Sequence, residues 1–203
     1  DMLFVELSPY GYRFRRKHRR RLQKRLKLNL KQAAKQCSIS YSRAWNHYEI
    51  KRVRGQLALP FEYRAAVKYA QTTNTAVALV DSSSFSRRWI AFWAELISTD
   101  NLQTLLSLPA QHTPAHHLYQ LAKRGVAGKV SPTGLPLLAG DREEEGIWAE
   151  RERYMAQQIR RAINTRTLKR ALFIGGWWHL TTGNGIPTIR DLLALDASQC
   201  LVL

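Results

Sequence analysis

The chain has 203 residues, of which 45% are hydrophobic, and this is enough apolar material for one good core. We therefore expect a single domain over residues 1–203. Cys37 and Cys200 are far apart in the sequence and have no C-x-x-C partners, so neither a disulfide framework nor a zinc site is indicated, and a reducing compartment such as the cytoplasm is favoured. No uncharged stretch is long and apolar enough to cross a bilayer, so the sequence predicts a soluble protein without a transmembrane segment.

The formal net charge of +17 is concentrated near the amino end. Between Arg13 and Lys35 there are 12 Lys or Arg residues and no acid, whereas the rest of the chain carries only +5. Apolar residues recur through this stretch at three- and four-residue spacing: Leu22, Leu26, Leu30, Ala33 and Ala34. This predicts a basic helix over 13–35 with one apolar stripe. Two interpretations stay open. In the first, this helix binds nucleic acid, an anionic membrane surface or an acidic partner. In the second, it is a solvated outer helix without a partner.

The first predicted element is an apolar strand over Met2–Leu7. A strand this apolar needs neighbours on both sides, so we expect the sequence to start inside a domain. Residues 40–54 are mixed and aromatic and predict a loop next to a short helix. Pro60 then precedes an alanine-rich pattern that predicts a helix over 61–70.

A second strand-to-helix transition follows this helix. Residues 76–80 form a short apolar run that predicts a buried strand, and Asp81 stands at its end. Ser82–Ser84 are candidates to cap a helix near 85–97.

The middle of the chain predicts two short helices over 99–124, separated by a turn at Pro114, and then a loop over 125–140 rich in Gly and Pro. His112 and His116 have the i,i+4 spacing that can hold a metal ion on one helix face. Pro114 lies between them and no H-E-x-x-H glutamate is present, which argues against a metal site there.

The last third begins with a long helical pattern over 141–164, with acids in its first turns and arginines near its end. The apolar run 171–175 predicts a strand buried on both faces. Gly175 and Gly176 let the backbone turn sharply or approach a ligand closely, and His179 follows at the strand's carboxyl end. The alternative is a packed turn whose histidine only hydrogen-bonds to the backbone.

A Gly-Asn-Gly turn at 183–185, a helix led by Pro187 through Leu195 and a last strand over 199–203 complete the prediction. The alternation predicts an α/β fold with a mostly parallel sheet flanked by helices. Glu6, Asp81 and His179 are expected to lie together at the carboxyl edge of that sheet.

Three motifs in order resemble the TraB/GumN family, which is related to the TIKI-type proteins. They are Phe4-Val5-Glu6-Leu7-Ser8-Pro9, Arg151-Glu152-Arg153-Tyr154-Met155-Ala156 and Gly176-Trp177-Trp178-His179-Leu180. The resemblance implies that Glu6, His179 and Arg151 are active-site residues, and that Glu152 lines the same crevice. Glu152 stands where the family more often has Asp or Asn, and the two tryptophans occupy positions that are usually small in the family.

The resemblance also implies a metal-dependent hydrolase, because TIKI-like relatives are metal-dependent proteases. Two histidines and a carboxylate suit a divalent ion such as Mn, Co or Zn. The family's earlier Gly-x-x-His motif would precede Asp1, so we expect that an N-terminal strand and helix have been lost. Glu6 and His179 alone would then hold a metal weakly, and we expect this chain to hydrolyse nothing quickly.

Two alternatives remain. Distant relatives in the family include haem-binding lipoproteins and proteins implicated in signalling-peptide control, so the sheet edge could bind a peptide or small molecule without turning it over. Glu152, Asp81, Gly176 and Trp178 are the candidate ligand-binding residues, and Trp178 offers a flat surface to an aromatic ligand. In the other alternative the basic helix over 13–35 binds a polyanion.

Overall fold

The computed structural model describes residues 1–109, 115–129, 142–166, 168–182 and 185–202. The predicted Pro114 turn, His112, the loop after residue 129 and Gly183–Asn184 lie outside the described residues. Within the described ranges the elements are, in chain order, β1 (Met2–Val5), α1 (Pro9–Gln36), α2 (Tyr41–Asn46), α3 (Tyr48–Leu57), α4 (Phe61–Thr73), β2 (Ala76–Leu79), α5 (Ser83–Ala91), α6 (Trp93–Leu96), α7 (Thr99–Ser107), α8 (Ala115–Val126), α9 (Arg142–Arg166), β3 (Ala171–Ile174) and α10 (Ile189–Leu193).

The chain divides into two compact units. Unit 1 comprises Asp1–Ser8, Ala65–Ser82 and Thr113–Leu203, and unit 2 comprises Pro9–Arg64 and Ser83–His112. The expected single domain over residues 1–203 stays a prediction.

Unit 1 is built around a three-stranded sheet in the order β2-β1-β3. Both pairings are parallel, and Val5 lies opposite Leu79 on one side and Ile174 on the other. All four residues of β1 are buried, as a central strand with an uninterrupted apolar sequence requires. The carboxyl ends of the three strands therefore meet at one edge of the sheet.

The core of unit 1 lies on one face of this sheet. Met2 and Phe4 of β1 pack there with Met155 and Ile159 of α9 and with Ile189 of α10. These α9 residues recur at four-residue spacing, which places them on one face of the helix. The burial of α9 against the sheet fixes the orientation of the polar residues that precede Met155.

Unit 2 is helical in its described part. Its core is formed by the apolar stripe of α1 with apolar residues of α3, α5, α6 and α7: Leu22, Leu26, Leu30, Ile50, Val53, Leu57, Ile90, Trp93, Ile97 and Leu102 among others. The stripe predicted within 13–35 is therefore buried, and α1 extends beyond the predicted range at both ends. None of the described helices is long and apolar enough to span a membrane.

The predicted parallel sheet is present, but its extent is overstated by the sequence. The structure is about 70% helical, and each strand has only four residues. β3 was expected to be buried on both faces, yet it is an edge strand whose Leu172 is 56% exposed. The structure is compatible with an α/β fold in which a small three-stranded parallel sheet is combined with many helices.

Three local predictions are wrong. Residues 40–54 form α2 and most of α3 rather than a loop next to one short helix, because the Ser40 side chain accepts a hydrogen bond from the Arg43 N–H and starts a helix. The helix expected over 85–97 is divided at Phe92. The strand expected over 199–203 is absent from its described part, where a 3₁₀ turn spans Ala197–Gln199 and Cys200–Val202 have no regular structure.

Candidate functional site

Glu6 lies directly after β1, at the carboxyl edge of the sheet. Its N–H donates to the carbonyl of Ile174 at 3.0 Å, which continues the pairing with β3 by one residue. Its Oε2 accepts a hydrogen bond of 2.7 Å from the Gly176 N–H. A Cβ at Gly175 would come within 2.9 Å of both the Cβ and Oε2 of Glu6. The close approach of the backbone to this carboxylate therefore requires a glycine at position 175.

His179 lies in a 3₁₀ turn, Trp177–Leu180, that follows β3. Its Nε2 is 3.0 Å from Glu6 Oε1, so the structure brings together two residues that are far apart in the sequence. The His179 side chain is only 4% exposed, and the ring of Phe173 packs edge-on against it. His179 therefore contacts a carboxylate, and the alternative of a histidine that hydrogen-bonds only to the backbone is wrong.

Glu152 contacts the other nitrogen of the same imidazole. Its Oε1 is 2.5 Å from His179 Nδ1, and its Oε2 accepts a 2.7 Å hydrogen bond from the Ile189 N–H. Ile189 is the first residue of α10, whose N-cap is Thr188, so its N–H has no partner within the helix. Glu152 therefore contacts the imidazole of His179 with one oxygen and accepts a hydrogen bond from the first N–H of α10 with the other.

Arg151 links Asp81, near the carboxyl end of β2, to Glu6. Its Nε and Nη2 donate to the two carboxylate oxygens of Asp81 at 2.8 and 2.9 Å, a bidentate geometry. The same Nη2 donates to Glu6 Oε1 at 2.7 Å. Asp81 follows β2 closely, and the Ser82 N–H donates to its Oδ1. Glu6, Asp81, Arg151, Glu152 and His179 thus form one connected cluster, here called the site network.

The site network is almost closed to solvent. The exposed side-chain fractions are 8% for Arg151, 7% for Asp81, 6% for Glu152 and 4% for His179. Glu6 is the most open member, at 21%. Any ligand would therefore reach the network first at the Glu6 carboxylate.

The buried charges fix one another's protonation. Burial by itself would lower the pKa of His179, but the carboxylates of Glu6 and Glu152 raise it to about 10. Burial would raise the pKa of Glu6, but His179, Arg151 and the Gly176 N–H hold that pKa well below its usual range. Hydrogen bonds and ion pairs to Asp81 and Glu6 likewise outweigh burial and raise the pKa of Arg151. Near neutral pH the network contains an imidazolium and a guanidinium facing ionised Glu6.

The site network does not fit a divalent metal ion. A metal takes a neutral imidazole nitrogen, whereas both ring nitrogens of His179 already face carboxylates. Both oxygens of Glu6 are hydrogen-bonded as well. Among the described residues, no group of three or more His, Cys, Asp or Glu side chains is arranged to hold a metal.

The two tryptophans of the third motif have packing contacts. Trp177 and Trp178 stack with ring centroids 4.1 Å apart. A Cβ at Gly125 in α8 would come within 2.8 Å of the Trp177 ring, so this ring occupies the space that the glycine leaves. The Trp177 ring is therefore committed to packing against α8, while a ligand-binding role for Trp178 stays a prediction.

Sequence reasoning missed the amino end of α10 as part of the site. The usable signal was the capping box Thr188-x-x-Asp191, in which the Thr188 side chain accepts from the Asp191 N–H and the Asp191 carboxylate accepts from the Thr188 N–H. That pattern predicts a helix start at Ile189, where a free N–H can meet a carboxylate. The choice of Glu152 as its partner required the structure.

Unit 1 also contains a cavity of about 580 Å³ that is separate from the site network. Leu3, Ala66, Tyr69 and Leu172 line it together with Arg170 and other residues, and no member of the network does. It lies where the edge strand β3 is exposed.

Comparisons with protein families, with curated proteins and with solved structures found no match to this chain. What the structure itself shows is that residues from all three of the motifs quoted above meet in one buried network.

Proposed function

We propose that unit 1 is a TraB/GumN-like hydrolase domain whose site is held closed by its own ion pairs, so that hydrolysis by this chain is slow. The observation that carries the proposal is the 3.0 Å contact between Glu6 and His179, with Arg151 2.7 Å from the same carboxylate oxygen. The substrate class implied by the resemblance is a peptide.

The residues of the site network can support hydrolysis, but only a slow reaction. Glu6 is ionised and is the most exposed member of the network, so it can accept a proton from an attacking water. His179 and Arg151 place positive charge beside it, where a tetrahedral intermediate would develop negative charge. The same two cations hold the pKa of Glu6 low, which makes it a weak base and explains why the reaction is expected to be slow.

A ligand must also open the network before it can react. A substrate carbonyl needs the space between Glu6 and the cations, and the 3.0 Å contact between Glu6 and His179 now fills it. Because His179 also contacts Glu152, its ring can release Glu6 and keep one carboxylate partner. Opening therefore costs the network one ion pair rather than leaving a buried imidazolium alone.

The test is a peptide-hydrolysis assay on the purified 203-residue chain, with mixed quenched-fluorescent peptides and with Mn²⁺, Co²⁺ or Zn²⁺ added or withheld. We expect slow cleavage that is lost in Glu6→Gln and in His179→Gln. Glu145→Gln and His116→Gln change exposed residues of the same types and should leave the rate unchanged.

Metal binding is measured by calorimetry on the same samples. We expect no tight stoichiometric binding, because the nitrogens of His179 and the oxygens of Glu6 are engaged. Tight binding of one metal ion per chain contradicts the closed site. Cleavage that persists in both Glu6→Gln and His179→Gln, or no cleavage above the level of these variants, contradicts the hydrolase.

A further inference from the structure

Unit 2 carries nearly all of the net charge of the protein. It contains 19 Lys or Arg residues and 4 Asp or Glu residues, a net charge of +15 out of the +17 of the whole chain. The buried contacts of α1 are apolar, so this charge is not consumed in building the core. An uncompensated field of this size attracts polyanions.

Seven of these cations form a straight row on α1. Arg13, Lys17, Arg20, Lys24, Lys27, Lys31 and Lys35 follow one another at three- or four-residue intervals, which places them on one face of the helix. All seven are exposed, and in the described ranges none of them pairs with a carboxylate. At 1.5 Å per residue the row is about 33 Å long. We call it the cationic row.

An aromatic cluster adjoins the cationic row at Lys27. The Lys27 Nζ lies 5.9 Å from the centre of the Trp45 ring, and the Arg54 guanidinium lies 3.8 Å from the same ring. Tyr41 stacks on Trp45 with centroids 5.8 Å apart and is itself 39% exposed. Cations combined with an exposed aromatic ring are the elements that bind phosphates and stack bases.

From these observations we propose that unit 2 binds single-stranded nucleic acid along the cationic row, without sequence preference, with Tyr41 as a stacking surface for a base. A flexible strand can follow a straight row of charges, whereas the phosphates of a duplex wind away from it. The charge is complementary to a phosphate backbone over the whole length of the row.

A membrane surface fits the row less well. Helices that lie in a membrane interface bury an apolar face in it. Leu22, Leu26 and Leu30 of α1 are buried in the core of unit 2, and Leu28 is the large apolar residue of α1 that remains exposed. The exposed surface of α1 therefore offers charge with little apolar area to insert.

The test is fluorescence anisotropy of the full chain with labelled 20-nucleotide single strands of mixed sequence. If seven phosphates are neutralised, the logarithm of the association constant falls with the logarithm of salt concentration with a slope of about −5. This corresponds to a loss of about a thousandfold in affinity between 50 and 200 mM salt. DNA and RNA strands should bind equally, because the contacts are to phosphates and base faces.

Two matched triple variants locate the binding surface. Lys24→Gln, Lys27→Gln and Lys31→Gln together should reduce the slope to about −3. Arg153→Gln, Arg161→Gln and Lys169→Gln remove the same charge from exposed positions of unit 1 and should leave the slope unchanged. Tyr41→Ala should weaken binding about fivefold or more at constant slope, since stacking is not electrostatic. Circular dichroism and thermal midpoints show whether each variant is folded.

The competing ligands give the outcomes that overturn the proposal. Tighter binding to a duplex of the same sequence, or to phosphatidylserine vesicles, rules out a single-strand site. Equal effects of the two triple variants show that only net charge is sensed and contradict a site on the cationic row. Because the hydrolase variants change unit 1, this proposal and the hydrolase proposal can fail independently.

Discussion

The two units treat charge in opposite ways. In unit 1 the charged side chains of the site network are buried, and Arg151 and His179 each contact two carboxylates. In unit 2 the cationic row is exposed, and its seven members contact no carboxylate of the described residues. A buried charge must be matched because its desolvation is expensive, whereas an exposed charge is solvated by water and can stay unmatched. The paired charges of unit 1 therefore stabilise the fold, whereas the exposed charges of unit 2 are available to bind a ligand.

The largest expected effect is the removal of the guanidinium from the site network. Arg151→Met leaves buried Asp81 without its cation and leaves Glu6 with His179 alone, and such changes cost roughly 3–5 kcal/mol. Urea unfolding of the full chain should show this loss. Arg153→Met, at an exposed position two residues along the same helix, should change the free energy of unfolding by less than about 0.5 kcal/mol. Equal effects of the two variants contradict the buried network.

The next effect is the pH dependence of stability. The pKa of His179 is raised from 6.5 to about 10 by folding, so its contribution is complete below pH 6.5 and is lost as the pH rises towards 10. The pKa of Glu6 is lowered from 4.5, so its contribution is present above pH 4.5 and is lost as the pH falls below it. The free energy of unfolding should therefore be highest between pH 4.5 and pH 6.5, where both contributions are present.

Urea unfolding over a pH series measures this profile. His179→Gln should remove most of the decrease on the alkaline side, which is on the order of a few kcal/mol. A wild-type profile that is flat from pH 6.5 to 10 shows that His179 is not held as an imidazolium.

A smaller effect is expected from the close approach at Gly175. A Cβ there would lie 2.6 Å from the Phe173 ring and 2.9 Å from Glu6, and overpacking of this kind costs roughly 1–3 kcal/mol. Gly175→Ala should therefore lower the thermal midpoint. A Cβ at Gly146 would meet nothing within 4 Å beyond its chain neighbours and the backbone of its own helix, so Gly146→Ala in α9 should instead stabilise by about 0.5–1 kcal/mol.

The smallest effect concerns the cationic row. Like charges at i,i+3 and i,i+4 repel by roughly 0.2–0.5 kcal/mol per pair, and Lys24, Lys27 and Lys31 take part in four such neighbouring pairs along the row. Changing the three to Gln should stabilise unit 2 by roughly 1 kcal/mol at low salt and by less at high salt. Thermal unfolding at two salt concentrations measures the difference. A loss of stability would show that these lysines have structural partners.

Much of the sheet could be predicted from the sequence. The apolar runs of β1, β2 and β3 have the right residues within one or two positions, and their parallel pairing follows from the helices between them. That geometry sufficed to place Glu6, Asp81 and His179 at one edge. The exposure of β3 could not be predicted, since an apolar run does not show whether a strand is central or at an edge.

The helices of unit 2 were harder to predict. Tyr41–Asn46 has no regular apolar period, yet Ala44 is fully buried against the core that α1 builds. In this segment the tertiary contact overrides weak local propensity. The partners within the site network were also out of reach, because the Glu152 contacts with His179 and the Ile189 N–H depend on how α9, α10 and the 3₁₀ turn pack together.

The contact between Glu6 and His179 is tested most directly by an NMR titration of the His179 imidazole in the full chain and in Glu6→Gln. We expect the pKa of His179 to be about 10 in the wild type and to fall when the Glu6 charge is removed. A wild-type pKa near the ordinary 6.5 that does not respond to Glu6→Gln would contradict the buried ion pair on which the proposed site depends.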